Sequence, residues 1–286
     1  MSAENREFTF DGTSRELDLD TGRLHYHEAG SGSPLILLHG SGPGVYGWAN
    51  FSGNLATYAR HFRCFVIDMP GYGRSAPPKG NPIDAAVVAT IALMDRLGVP
   101  IAGLLGNSLG GIVASRVAAE HPDRVSKLCM IGGIGLNLFT TFPNEGINLL
   151  VEFTEQPTRE RLIAWLRSMV YDQSLITEEL IEDRWKRATE PTILKVSRRI
   201  YSRAAMKALA DTQFQTQPWQ HLPKIQCPTL LTWGRDDRVS PLDRAILPMR
   251  IIPRCELHTF HDCGHWAMIE RKLEFESVTL AFFQRP

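Results

Sequence analysis

The sequence lacks an excess of charge of either sign and lacks long hydrophobic runs. Lys+Arg and Asp+Glu each number 31 in 286 residues, so the formal net charge is zero. This balance argues against a surface dedicated to nucleic acid or to an anionic membrane. No apolar run approaches the roughly 18 residues of a membrane span. Residues 1–7 are polar and contain no signal-peptide core, so the sequence predicts a cytoplasmic protein.

Cysteines are few and odd in number, and repeats and low-complexity tracts are missing. Most of the cysteines lie in or beside apolar, strand-like runs, which predicts buried free thiols in a reducing compartment. They are Cys64, Cys129, Cys227, Cys255 and Cys263. The length suits either one α/β domain with an insertion or two ordinary domains.

What is present is an alternation of short apolar runs with helix-patterned segments. It predicts an α/β fold with a mostly parallel, doubly wound sheet and sites beyond the carboxyl ends of the strands. An antiparallel pair comes first, joined by a turn at residues 20–22. The predicted strands are 14–20, 23–28, 34–38, 62–67, 100–105, 125–131, 228–233 and 256–260. The predicted helices of this part are 85–97, 110–120 and 275–283.

Residues 135–213 differ in character, since they contain no strand-like run. Helix-patterned pieces appear instead at 159–170, 178–188 and 192–210, rich in both charge and aromatics. A helical insertion between two strands of such a sheet is typical of a lid over the active-site edge. We therefore predict a core of residues 1–134 and 214–286 and a helical lid of residues 135–213.

The chain is organised around Gly106-x-Ser108-x-Gly110, which follows an apolar run and precedes a helix former. A sharp strand-to-helix turn needs glycine on both sides of a serine whose backbone is strained. The turn exposes the Ser108 hydroxyl and directs the N–H of Leu109 toward a developing oxyanion. The other reading is an ordinary turn leading into a helix.

Acid and base partners for Ser108 follow later strands. Asp236 and Asp237 follow one strand and His265 follows the last. The order Ser, Asp, His is that of the α/β-hydrolase fold, with His265 as base and a carboxylate fixing its tautomer. We prefer Asp237, because one more residue of turn projects it over the sheet edge. The motif His261-x-Cys263-x-His265 is too short to wrap a metal ion, so no metal is predicted.

The loop His39–Gly44 contains many small residues directly after a strand, which indicates a backbone that approaches something closely. It is either a flexible turn or a second source of oxyanion-binding N–H groups. Asn50, just beyond it, is either a helix cap or a polar group aimed into a pocket.

Five motifs together resemble the meta-cleavage product hydrolases, α/β-hydrolases of bacterial aromatic and steroid degradation. The resemblance covers nearly the whole chain, lid included. The motifs are the loop at 39–44, Gly106-Asn-Ser-Leu-Gly-Gly111, residues 171–177, Trp233-Gly-Arg-Asp-Asp-Arg238 and Cys263-Gly-His-Trp266. Asn before the serine and Trp after the histidine are far more restrictive than G-x-S-x-G alone.

The resemblance implies hydrolysis of a carbon–carbon bond in 2-hydroxy-6-oxo-hexa-2,4-dienoate-type compounds. The products are 2-hydroxypenta-2,4-dienoate and a carboxylic acid. It implies Ser108 as nucleophile, His265 as proton shuttle and the N–H groups of Leu109 and of Ser41–Gly42 as oxyanion hole. Many relatives carry glycine where Ser41 stands, so its hydroxyl either narrows the pocket or adds a contact. The positions that contact the dienoate in the family match Asn50, Asn107, Ser174, Arg184 and Trp266.

Arg184 has a physical reason of its own, because a planar guanidinium grips a carboxylate and a neighbouring oxygen in bidentate fashion. The other reading is a solvated arginine on a lid helix. No cofactor is implied, and a homo-oligomer, dimer or tetramer, is expected by analogy. The C6 substituent is not readable; the candidate pocket residues of the lid are Leu138, Phe139, Ile147, Phe153, Trp165, Met169 and Trp185.

The same three catalytic side chains also serve carboxylesterases and lactonases, which is the first alternative function. A haloalkane dehalogenase would need a carboxylate in place of Ser108. A non-catalytic small-molecule receptor would not need the three side chains at all.

Overall fold

The computed structural model describes residues 8–216 and 219–286, with the backbone alone for residues 212–216. Within these residues, eight strands form one sheet in the order β1-β2-β4-β3-β5-β6-β7-β8. The pairs of β2 are antiparallel and the others parallel, which confirms the predicted sheet and its antiparallel start. The polar segment 1–7 lies outside the described residues. The strands are β1 (Ser14–Leu19), β2 (Gly22–Ala29), β3 (Ser33–Leu38), β4 (Phe62–Ile67), β5 (Ala102–Asn107), β6 (Val125–Ile131), β7 (Thr229–Gly234) and β8 (Cys255–Phe260).

Helices cover both faces of the sheet. Along β3, Ile36 and Leu38 join the core on one face, and Leu35 and Leu37 join the core on the other. All four side chains are fully buried, as the two-residue period of a strand covered on both sides requires. The helices outside the β6–β7 segment are α1 (Phe10–Thr13), α2 (Gly47–Ala59), α3 (Pro82–Arg96), α4 (Leu109–Glu120), α10 (Ile246–Ile251), α11 (Ala267–Glu270) and α12 (Lys272–Gln284).

Five helices lie between β6 and β7 in the described part of the chain, where the lid is predicted. They are α5 (Glu145–Glu155), α6 (Arg159–Ser168), α7 (Glu178–Ala188), α8 (Pro191–Ile200) and α9 (Arg203–Thr216). The single helix predicted over 192–210 is wrong. α8 ends at Ile200 with Tyr201 as its C-cap, and the hydroxyl of Ser202 accepts a hydrogen bond from the N–H of Ala205 at the start of α9. Helices α2 and α5 were not predicted.

The five cysteines are free thiols, four of them buried. Among the described helices, none combines the length and the hydropathy needed to cross a bilayer. The described His, Cys, Asp and Glu side chains form no group of three suited to a metal ion.

Candidate active site

Ser108 is the single residue between β5 and α4. β5 ends at Asn107 and α4 begins at Leu109, and the serine adopts φ 53° and ψ −114°. A Cβ on Gly106 would lie 2.3 Å from the carbonyl oxygen of Gly110, and a Cβ on Gly110 would lie 2.1 Å from that of Leu38. The two flanking glycines are therefore required for the turn to close, and the strained serine projects above the sheet.

Asp237 and His265 form a hydrogen-bonded pair at the same edge of the sheet. The Nδ1–H of His265 donates to Asp237 Oδ2 at 2.6 Å, and both side chains are 2% exposed. Asp237 Oδ1 accepts from the N–H groups of Val239 and Ser240. Asp236 instead pairs with Arg235, 3.3 Å away. The carboxylate beside the histidine is thus the one preferred from the sequence, and His265 Nε2 is left as an acceptor.

The loop that holds His265 is tied to the lid and to α11. The N–H of His265 donates to the carbonyl of Met169 at 2.7 Å. Glu270 accepts from the N–H of Gly264 with one carboxylate oxygen and from the N–H groups of Tyr171 and Asp172 with the other. Burial raises the pKa of Glu270, and these N–H bonds oppose the rise. Sequence reasoning missed Glu270, because its partners are backbone groups that no motif marks.

The loop His39–Gly44 runs beside the nucleophile. A Cβ on Gly40 would lie 3.5 Å from the Cβ of Ser108. His39 fixes this loop: its Nδ1–H donates to Gly40 O at 2.5 Å, and its Nε2 accepts from the N–H of Met69. Burial lowers the pKa of His39, consistent with the neutral ring that this pattern requires.

Backbone donors around Ser108 are free of partners. Within the described part of the chain, the N–H groups of Ser41, Gly42 and Leu109 donate no hydrogen bond. The hydroxyls of Ser41 and Tyr201 share a short hydrogen bond. Tyr201 was not anticipated from the sequence; it lies at the junction of α8 and α9.

A small cavity of about 40 Å³ with a mixed polar and apolar lining opens beside Ser108 and His265. Four predicted substrate-binding residues line it: Asn50, Asn107, Arg184 and Trp266. Asn50 Oδ1 accepts from the side-chain amide of Asn107 and from the N–H of Gly40.

Arg184 is the charged group of the small cavity. It is 3% exposed, and its guanidinium lies 5.5 Å from the ring centre of Trp266. Burial lowers its pKa to about 10, so it is charged at neutral pH. Arg184 Nε, Asn107 Oδ1 and the indole N–H of Trp165 are buried here without partners in the described part of the chain. Buried polar atoms normally have hydrogen-bond partners, so we expect these three to bind a polar ligand.

Ser174, the fifth predicted substrate-binding residue, is not brought together with the other four. Ser174 is exposed in a 3₁₀ turn on the outside of the lid and lines neither cavity near Ser108. Its hydroxyl donates to Asp172 Oδ1 at 2.7 Å. The hydrogen bonds that the N–H groups of Tyr171 and Asp172 donate to Glu270 hold this turn on the outside of the lid.

A large cavity of about 420 Å³ meets the small one at Ser108 and His265. Ile147, Tyr201 and Val239 border both. The other walls of the large cavity are mainly apolar; Ile112, Ile134, Phe142, Met206 and Leu209 are among them. Asn81, Arg199, Ser240 and Arg244 interrupt this apolar surface.

The seven lid residues predicted as candidate pocket walls lie in different places: some line a cavity, and others are in the core or at the surface. Ile147 borders both cavities, and Trp165 and Met169 line the small one. Phe153 is buried in the core, whereas Leu138 and Phe139 are exposed. Trp185 packs half-buried near Phe153.

Helix α7 packs directly against the loop His39–Gly44. Gly44 has φ 67°, and a Cβ there would lie 2.6 Å from the carbonyl oxygen of Arg184. The guanidinium of Arg184 donates to Pro43 O at 3.5 Å. The lid arginine and the loop beside the nucleophile are therefore in direct contact.

Comparison with known proteins agrees with this geometry. Residues 33–272 match the family model described as alpha/beta hydrolase fold. The chain is 37% identical over 279 residues to a 2-hydroxy-6-oxononadienedioate/2-hydroxy-6-oxononatrienedioate hydrolase of Comamonas testosteroni, with 94% of each chain covered. It is also 37% identical, with 94% of each chain covered, to a 2-hydroxy-6-oxo-6-phenylhexa-2,4-dienoate hydrolase of Burkholderia cepacia. This chain belongs to the meta-cleavage product hydrolases of the α/β-hydrolase fold.

A solved structure supports the same assignment. The meta-cleavage product hydrolase of Pseudomonas fluorescens IP01 is 28% identical and superposes with a TM-score of 0.83. The match covers 94% of this chain and 97% of that one. The predicted resemblance to the meta-cleavage product hydrolases is confirmed.

Proposed function

We propose that this meta-cleavage product hydrolase uses Ser108 to cleave the C5–C6 bond of a 2-hydroxy-6-oxo-hexa-2,4-dienoate-type substrate. The products are 2-hydroxypenta-2,4-dienoate and a carboxylic acid. The carrying observation is that Ser108 and His265 lie where a small cavity with a buried arginine meets a larger, mainly apolar one. A ketone with an anionic dienoate on one side and a variable group on the other matches these two spaces.

The first half-reaction begins with conversion of the dienol to its keto form: His265 Nε2 takes the proton of the 2-hydroxyl and delivers it to C5, which leaves the ring neutral again. Ser108 Oγ then attacks the C6 carbonyl, and His265 Nε2 takes the hydroxyl proton. Asp237 holds Nδ1–H and stabilises the imidazolium. The N–H groups of Leu109 and of Ser41–Gly42 donate hydrogen bonds to the oxyanion, and the absence of other partners for them in the described part of the chain supports this role.

Bond cleavage follows when the oxyanion collapses. The C5–C6 electron pair moves into the dienoate, which takes the proton from His265 and leaves. Arg184, with Asn50, Asn107 and Trp266, holds the carboxylate and the 2-oxygen through charge-assisted bonds. Water, deprotonated by His265, then hydrolyses the acyl ester on Ser108 and releases the acid, so one water is consumed per turnover.

We further propose that residues 1–134 and 214–286 act as the core and 135–213 as the lid. Five free thiols support a reducing, cytoplasmic compartment. Phe139 and Leu273, 87% and 80% exposed, support a homo-oligomer that covers them. Light scattering on the purified protein, with Leu273→Ser as the variant, tests the oligomer.

The deciding experiment follows the visible absorbance of a yellow dienoate in a stopped-flow instrument. Wild type should bleach it, and Ser108→Ala should bind it without bleaching. Ser174→Ala is the matched control and should retain wild-type kcat and KM, because that hydroxyl lies outside both cavities. Fast cleavage of neutral esters with no bleaching of phenyl, alkyl or steroid-type dienoates would favour the esterase alternative instead.

A further inference from the structure

Arg244 places a half-buried guanidinium in the large cavity, opposite Arg184. Arg199 also lines this cavity, but it is exposed and donates to Gly80 O. Its Nη1 donates to Asn137 Oδ1 at 2.5 Å, and its Nη2 approaches Gly133 O at 3.4 Å. A guanidinium has five N–H donors. Three of them, including the buried Nε–H, have no acceptor within the described part of the chain.

The charge of Arg244 also lacks a counter-ion. No carboxylate of the described residues lies within ion-pair distance of it. Asp237 is committed to His265 and to two backbone N–H groups. Asp243 accepts from the N–H groups of residues 138–140 and from the hydroxyl of Thr140. Burial lowers the pKa of Arg244, and these two carboxylates only oppose that effect from a distance.

A single residue, Gly133, lies between Arg244 and Ser108 and is close to both. A Cβ on Gly133 would lie 2.6 Å from the Cα of Ser108, and the carbonyl of the same Gly133 faces Arg244. Ser240 lines the cavity beside it; its hydroxyl accepts from the N–H of Gly133 and retains its own proton to donate. The group attached to C6 therefore enters a cavity in which Arg244 and the Ser240 hydroxyl offer unpaired donors.

We propose that Arg244, with Ser240, binds a carboxylate at the end of the C6 substituent, so that the preferred substrate is a dienedioate and the released acid is a dicarboxylic acid. This inference rests on the proposed function. A half-buried cation with an unpartnered, buried Nε–H is costly, and a ligand anion lowers that cost in the bound state. Arg184 and Arg244 would then hold the two ends of one substrate, on either side of the ketone that Ser108 attacks.

The test compares three dienoates that differ only at C6: 2-carboxyethyl, 2-carbamoylethyl and 3-methylbutyl, which have equal numbers of non-hydrogen atoms. Wild type should show the highest kcat/KM for the carboxylate, by at least 10-fold. Arg244→Met should lower that value by about 10- to 100-fold and change the 3-methylbutyl value by less than 3-fold. Arg250→Met, an exposed arginine that lines neither cavity, is the control and should leave all three unchanged.

Inhibition gives a second readout that does not depend on turnover of the variant's substrate. Succinate should inhibit wild type more strongly than butyrate does, and Arg244→Met should lose the difference. Equal losses of kcat/KM for all three substrates would assign Arg244 a purely structural role in holding residues 133–137. A wild-type preference for 3-methylbutyl would overturn the proposal while leaving dienoate hydrolysis intact. Failure to bleach any dienoate would overturn the proposed function itself.

Should Arg244→Met not fold, Arg244→Lys and the wild-type selectivity decide the matter. Lysine retains the charge but not the fork of donors. It should keep a preference for the carboxylate over the carboxamide that is smaller than that of wild type. A lysine variant with unchanged selectivity for all three substrates would contradict a bidentate contact.

Discussion

Glu270 accepts a hydrogen bond of 2.7 Å from the N–H of Gly264, the residue directly before His265. With its other oxygen it accepts from Tyr171 and Asp172 of the lid segment. One carboxylate thus positions the histidine loop and attaches it to the lid. Glu270 lines neither cavity beside Ser108, so it acts through the histidine loop and the lid segment that it joins.

Glu270→Gln should therefore lower kcat by about 10-fold and the free energy of unfolding by about 1–3 kcal/mol. Glutamine has one acceptor oxygen, so its NH₂ group faces an N–H that it cannot accept. Steady-state kinetics and urea unfolding measure the two effects. Glu274→Gln, which changes an exposed carboxylate paired with Arg271, is the control. A wild-type kcat in Glu270→Gln would contradict the positioning role.

Asp237→Asn should reduce kcat by roughly 10³- to 10⁴-fold with little loss of stability. Its Oδ1 still accepts from Val239 and Ser240, but its NH₂ group meets His265 Nδ1. The ring must then carry its proton on Nε2, where it cannot accept one from Ser108. Asp236→Asn is the control, and a loss of similar size there would mean that the acid is misassigned.

Arg184→Met should raise KM for a dienoate by about 10- to 100-fold, because a charge-assisted contact contributes about 1.5–3 kcal/mol. Hydrolysis of a neutral ester by the same variant should change by less than about 3-fold. Arg187→Met changes an exposed arginine on the same helix and should leave both substrates unaffected. An unchanged kcat/KM for the dienoate would refute the assigned role of Arg184.

Ser41 and Tyr201 should be energetically coupled. Tyr201→Phe leaves the buried Ser41 hydroxyl without its partner and should lower kcat/KM about 3- to 10-fold. Ser41→Gly in the Tyr201→Phe background should cost little more, giving a coupling free energy of about 1 kcal/mol. Kinetics on the two single variants and the double variant measure it. Additive losses would show that the hydrogen bond has no part in shaping the site.

His27 should make stability fall in acid. Its side chain is fully buried, and burial together with His25 lowers its pKa to about 4. In the unfolded chain His27 binds a proton near pH 6.5 and below. In the folded chain it binds that proton only near pH 4. The free energy of unfolding therefore falls as pH drops through this window, by up to about 3 kcal/mol from His27.

Denaturant unfolding at pH 7.5, 6 and 5 checks this. His27→Phe keeps an aromatic ring beside Phe10 and Trp48 and should show a shallower fall than wild type. The exposed His261→Gln should keep the wild-type slope, including the part due to buried His39. Parallel curves for wild type and His27→Phe would contradict the prediction.

The parts of the fold that follow strong local patterns could be predicted from the sequence. Strands β4 and β6 and helix α7 have the predicted bounds, because apolar runs and capping residues mark their ends. Helix α5 was missed although Asn144 caps it, since Gly146 and the β-branched residues that follow weaken its helical pattern. The break at Tyr201 depends on tertiary packing of the lid, which no local pattern reports.

The site shows the same division. Ser108, Asp237 and His265 follow strands, so sheet topology alone brings them to one edge. Ser174 lies apart from these residues, because its motif gives residue order but not the direction in which a lid turn faces. Arg244 and Glu270 were not anticipated, since what marks them is a missing counter-ion and a set of backbone contacts. Both become visible only in three dimensions.

Gly44 packs directly against the backbone of Arg184, and this contact restricts how the two segments can move. Helix α7 and the loop His39–Gly44 cannot separate without opening that contact. The guanidinium of Arg184 is therefore held in place beside the small cavity before any ligand arrives. An anionic group that binds there meets a charge that is already positioned, which reduces the entropy cost of binding.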